Sequence, residues 1–105
     1  MDVRQIQQKS IEIRDLYRET NFKNELREWD ARAYTEGLMV DVAGLTKLLM
    51  IRDQFRDGES TQELIAHELA DIIWSAFVIA DELGIDLALE LPEQLATLRY
   101  RFDLE

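Results

Sequence analysis

The sequence predicts an all-α fold, one domain of four helices spanning residues 1–105, on three observations. The 105 residues include only four Gly and one Pro, too few for the many tight turns of a β fold. Apolar residues recur at helical spacing, and no period-two strand pattern is visible. Start and stop signals for helices stand where the periodic segments begin and end.

The first helix is expected over about Asp2 to Thr20, with Val3, Ile6, Ile13 and Tyr17 at near-heptad spacing. The polar stretch "ETNFKNELREWDAR" then reads as a connection with room for a turn of helix. A second helix is expected from about Ala33 to Phe55. Its apolar residues go nearly all the way round, which implies burial on more than one side. "RDGES" reads as a turn. Ser60 followed by Glu63 is a capping-box pattern, and Gly84 suits the left-handed position after a helix, with Ile85 packing back. A third helix is therefore expected from about Thr61 to Leu83. Pro92 would lie six positions inside a helix capped by Asp86. The preferred reading is a short turn from Asp86 and a main helix from near Pro92 to about Phe102.

Composition narrows the chemistry. Hydrophobic residues form 47% of the chain and charged residues 32%, the profile of a folded soluble protein. With no cysteine and one histidine, His67, disulfides, thiol nucleophiles and multi-histidine metal sites within one chain are excluded. The net charge of −10 argues against nucleic acid as a partner. No signal-peptide core or membrane-length apolar run appears, so a cytoplasmic protein with no membrane association is expected. A core of this size is modest, and helices two and three are apolar on too many faces for a monomer to cover. The expectation is a homodimer or homotetramer in which chains associate into a helical bundle.

The chemistry-bearing stretch is "HELADIIWSAFVIADELGID", residues 67–86. Glu68 and Asp71 stand three apart and project as neighbours from a very apolar helix. Asp41 is a second acid among apolar residues, within "LMVDVAGLTKLLM" on helix two, with Gly37, Gly44, Leu45 and Leu48 on roughly its side. A short turn makes helices two and three antiparallel neighbours whose acidic faces can converge. Interior carboxylates must be paired, hydrogen-bonded or metal-bound. From spacing alone two readings stand: a cluster for a hard divalent cation such as Mg²⁺ or Mn²⁺, or ion pairs with Arg14, Lys47 or Arg52. Trp74 and Phe77 read as core. Trp29, outside a strong apolar run, is a candidate for lining a pocket. His67 reads as a hydrogen-bonded neighbour of Asp71 or a surface residue.

"ELADIIWSAFVIADELGID" and "WDARAYTEGLMVDVAGLTKLLM" together resemble the all-α nucleoside triphosphate pyrophosphohydrolases, the MazG-like and dimeric dUTPase-like group. The likeness covers about residues 29–102. It implies Mg²⁺-dependent hydrolysis of a nucleoside triphosphate to the monophosphate and pyrophosphate, with Asp41, Glu68 and Asp71 as metal ligands and catalytic carboxylates. The family's first motif carries a second acid where this chain has Gly44, so low activity is expected. Of the family's nucleotide contacts on the last helix, Arg101 matches, whereas Gln94 and Leu98 depart. The alternative is a non-catalytic relative that serves as a nucleotide-binding, metal-binding or protein-interaction module.

Overall fold

The computed structural model describes residues 1–103, which form four helices and, among the described residues, no strand: α1 Val3–Lys23, α2 Ala31–Arg52, α3 Gln62–Glu82 and α4 Leu87–Asp103. The all-α, four-helix expectation holds.

Side chains set the helix starts. Asp2 accepts from the Gln5 amide at 2.8 Å while Gln5 accepts from the Asp2 amide at 2.8 Å, a reciprocal capping box. Asp30 caps α2 by accepting from the Ala33 amide at 2.9 Å, so the helix begins two residues before the expected Ala33. At α3 the cap is Thr61, which accepts from the Leu64 amide at 3.1 Å, and not Ser60. The Ser60 hydroxyl instead donates to the Leu48 carbonyl at 2.8 Å, tying the loop to the last turns of α2. A tertiary bond has claimed that side chain, and its neighbour can cap equally well.

The first three helices end in the same way. After α3 the Ile85 amide reaches the Ala80 carbonyl at 2.8 Å and Gly84 sits at φ 70°, the left-handed termination the sequence indicates. After α1 and α2 the same bond pattern recurs (Leu26 to Asn21, 2.9 Å; Phe55 to Met50, 2.8 Å), but the left-handed positions hold Glu25 at φ 58° and Gln54 at φ 68°. Neither residue advertises a left-handed turn. That is why α1 runs three residues past the expected Thr20 and α2 stops three short of the expected Phe55.

α4 corrects the reading at Pro92. The helix is continuous from Leu87 with Pro92 inside it. Asp86 organises the start: its Oδ1 accepts from the Ala88 amide at 3.1 Å and its carbonyl accepts from the amides of Leu89 and Glu90. Asp86 is also held by Arg4 at 3.0 Å, and the Gln7 side chain accepts from Ala88 at 3.3 Å, so α1 braces the first turn. The proline removes one hydrogen bond from a helix already fixed at its start.

α2 and α3 share the most extensive packing, while α1 lies on α3 and α4 on α1. Asp41 lies near Asp71, Gly44 near Glu68 and Leu48 near Ser60, a reversed order that makes α2 and α3 antiparallel. α1 buries Ser10 and Arg14, whereas Ile6, Ile13 and Tyr17 of the expected stripe are exposed in the single chain. Arg14 explains the exchange: its guanidinium bridges to Asp81 at 2.7 Å and Glu82 at 3.3 Å on α3 and to Asp15 at 2.8 Å, locking α1 to α3. The buried apolar core is small: Tyr34, Ile65, Phe77, Val78 and Ala80. α2 is buried on one side only, and Met39 and Val40 are about 70% exposed (68% and 70%). No helix among the described residues is long and apolar enough to cross a membrane.

Candidate functional site

The antiparallel pairing of α2 and α3 brings three carboxylates together. One oxygen each from Asp41, Glu68 and Asp71 lies within 4.8 Å of the others, with Asp41 and Glu68 half-buried and Asp71 exposed. Helical spacing puts Glu68 and Asp71 on one side of α3, and Asp41 reaches the same point from α2.

The ion-pair alternative is overturned. Arg14 is engaged with Asp81, Glu82 and Asp15, and Arg52 with Asp53 at 2.8 Å. Among the described residues no Lys or Arg, Lys47 included, pairs with any of the three acids. Burial, followed by the negative charge of Asp71, holds the Asp41 carboxyl above the usual carboxylate range. Glu68 Oε2 is buried with no hydrogen-bond partner. An orphaned buried carboxylate oxygen beside two further acids is a donor set that suits a hard divalent cation.

Gly44 stands against Glu68. A Cβ at position 44 would lie 3.0 Å from Glu68 Oε1 and 3.3 Å from its carboxyl carbon. The carboxylate of α3 thus fills the space that a side chain on α2 would take.

The cluster separates two cavities. On one side Asp41 and Asp71 line a cavity of about 670 Å³ whose other walls include Ile13, Tyr17, Trp29, Tyr34 and Trp74. Trp29, expected at a pocket, is in its wall. Its ring lies 5.4 Å from that of Tyr34 by centroid, and it packs so closely on Gly37 that a Cβ there would come within 2.9 Å of it. Tyr34 and Trp74 meet edge to face at 6.3 Å, and Tyr17 tilts onto Trp74 at 5.9 Å. The indole of Trp74 donates to the Ser10 carbonyl at 3.1 Å, which fixes its ring. Trp74 is half-buried, so it serves as cavity wall as well as packing.

On the other side Glu68, Gly44, Lys47 and His67 border a smaller cavity of about 400 Å³. His67 is exposed and adjoins Glu68 there, outside the carboxylate cluster. Arg101 lies exposed on the last turn of α4 and lines neither cavity.

Tyr17 and Tyr34 are wall residues that their sequence context did not single out, and Trp74, read as core, is a third. A usable signal existed: Tyr34 lies two turns before Asp41, and Trp74 three residues after Asp71, on the faces that carry the acids. Compared with known proteins, the chain matches no family model, no curated protein and no solved structure.

Proposed function

We propose that this protein is a Mg²⁺- or Mn²⁺-dependent nucleoside triphosphate pyrophosphohydrolase. The observation that carries the reading is the convergence of Asp41, Glu68 and Asp71, with no Lys or Arg among the described residues in an ion pair with them, at the edge of an aromatic-walled cavity. The sequence likeness to MazG-like enzymes supports it from the side of motif order.

Asp41, Glu68 and Asp71 would hold the cation. A bound Mg²⁺ supplies the positive charge that lets a polyphosphate approach three carboxylates and lowers the pKa of coordinated water. Trp29, Tyr34 and Trp74 offer faces and edges on which a flat heteroaromatic base can pack. The base in this cavity puts the triphosphate beside the acids. Water attacks the α-phosphorus as the bond to the bridging oxygen of the β-phosphate breaks, giving a nucleoside monophosphate and pyrophosphate. Asp71, the exposed member of the cluster, is the carboxylate best placed to accept the proton of that water.

Gly44 favours a second reading, a binding module without turnover, because the family's second acid is missing there. The test is release of pyrophosphate and monophosphate from a panel of canonical and modified nucleotides with Mg²⁺ or Mn²⁺. Equimolar products from the wild type, lost in Asp71→Asn, are the expected result. Nucleotide binding with no turnover on any substrate would replace the enzyme with the module.

A further inference from the structure

We infer, resting on the reading of the aromatic cavity as the base site, that Arg18 is its positioning residue: it holds Trp29 in the wall and through Trp29 sets how tightly a nucleotide is bound. Trp29 stands on the connection between α1 and α2. The Leu26 amide closes α1 on the Asn21 carbonyl, and Asp30 caps α2. Between them, among the described residues, the backbone of residues 27–29 makes no backbone–backbone hydrogen bond. A wall residue on such a segment keeps its place only where side chains hold it.

Arg18 is the side chain that reaches the segment. One terminal nitrogen donates to the Trp29 carbonyl at 3.4 Å and to Glu82 Oε1 on α3 at 2.5 Å. Its Nε lies 2.8 Å from Glu28 Oε1, near enough to pair the charges but not aligned as a hydrogen bond. The Glu28 side chain is exposed and contributes little, so Glu82, with a side chain only 18% exposed, is the anchor. One planar guanidinium thus ties α1, α3 and the connection together, which an ammonium on a flexible stem does not reproduce.

The ring of Trp29 has a seat of matching shape. It lies 5.4 Å from the ring of the buried Tyr34, and a Cβ at Gly37 would come within 2.9 Å of its Cζ3. Clamped at its carbonyl and seated at its ring, Trp29 lines the cavity and stays 43% exposed, which leaves surface for a base to cover.

Fluorescence reads the clamp without nucleotide. The chain has two tryptophans, so in Trp74→Phe the emission is that of Trp29 alone. Adding Arg18→Gln is expected to move that emission to longer wavelength and to raise its quenching by acrylamide. Helical content by circular dichroism should be unchanged, because Glu82 keeps Arg14 at 3.3 Å and no acid is stranded. Arg18→Lys, which keeps the charge but not the fork, is expected to fall between the two and replaces Arg18→Gln should that variant fail to fold. Trp29 emission indifferent to the substitution in a folded protein overturns the inference.

Kinetics with Trp74 intact read the consequence. On nucleoside triphosphates that the wild type hydrolyses with Mg²⁺, Arg18→Gln is expected to raise KM about tenfold, the lower end for a hydrogen bond to a charged group, with kcat within about twofold. If the chain binds nucleotide without turnover, Kd carries the same tenfold. A loss confined to kcat overturns the inference. A shifted fluorescence with no nucleotide bound or hydrolysed overturns the base site and with it the role in binding, whereas failure of the clamp shows in the fluorescence alone.

Discussion

Replacing Asp41 by Asn should stabilise the metal-free protein at neutral pH. Asp41 faces the like charge of Asp71 within 4.8 Å. A like-charged pair at that distance costs about 1 kcal/mol in water-like surroundings and about 3.5 kcal/mol at an effective dielectric near 20. Asp71 is exposed and Asp41 only half-buried, so solvent screening places the cost near the lower figure, about 1 kcal/mol. For a domain of this size that corresponds to a rise in Tm of roughly 4–8 °C. The assay is thermal unfolding in chelator at low salt and fixed protein concentration, repeated across pH. The Asp41 carboxyl is held above its ordinary range, so its protonated form is the one the fold favours. Stability linked to it is full at low pH and is lost as pH rises through the carboxylate range. The advantage of Asp41→Asn should therefore be present at pH 7 and absent in acid. Saturating Mg²⁺ should reverse the order, because only the wild type keeps all three ligands. An Asn variant that melts no higher than wild type in chelator at pH 7, or that keeps its advantage in acid, refutes the reasoning.

Two further outcomes follow from backbone geometry. Gln54 holds a left-handed conformation at φ 68°, which costs a residue with a Cβ about 1–2 kcal/mol. After the larger unfolded-state entropy of glycine, Gln54→Gly should raise stability in urea unfolding by about 0.5–1 kcal/mol, and a loss of stability would contradict the assigned turn. Pro92→Ala gives residue 92 an amide that can donate to the Ala88 carbonyl, and should stabilise α4 by about 1 kcal/mol or more. Slower hydrogen exchange through the first half of α4 is the check, and unchanged exchange would mean that the proline costs nothing where it sits.

Fold class and helix order were legible because they depend on periodicity and on punctuation that glycine and capping residues supply. Gly84 marked the end of α3, as its φ of 70° bears out. Glu25 and Gln54 do the same work without the residue that signals it, so the ends of α1 and α2 were hidden. Pro92 misled in the opposite direction: local chemistry argued for a break, and bracing by Asp86, Arg4 and Gln7 keeps the helix whole.

At the candidate site, spacing paired Glu68 with Asp71, and the short α2–α3 turn brought Asp41 to them. Composition could not show that Arg14 is spent on Asp81 and Glu82, because that depends on the register of α1 against α3. Nor could it show that Glu68 fills the space before Gly44, since a glycine in a sequence says nothing about which neighbour packs against it. The aromatic wall escaped for a related reason. Tyr17 belonged to an apolar stripe on paper, yet α1 turns Ser10 and Arg14 inward and leaves Tyr17 beside the cavity.

Mn²⁺ binding to the intact protein, followed by electron paramagnetic resonance or calorimetry, asks most directly whether the three carboxylates form a cation site. Saturable binding is expected in the wild type, with strong weakening in Asp71→Asn and Glu68→Gln while helical content is unchanged. A folded wild-type chain that binds no Mn²⁺, or variants that bind it as tightly as wild type, would contradict a cation site built from Asp41, Glu68 and Asp71.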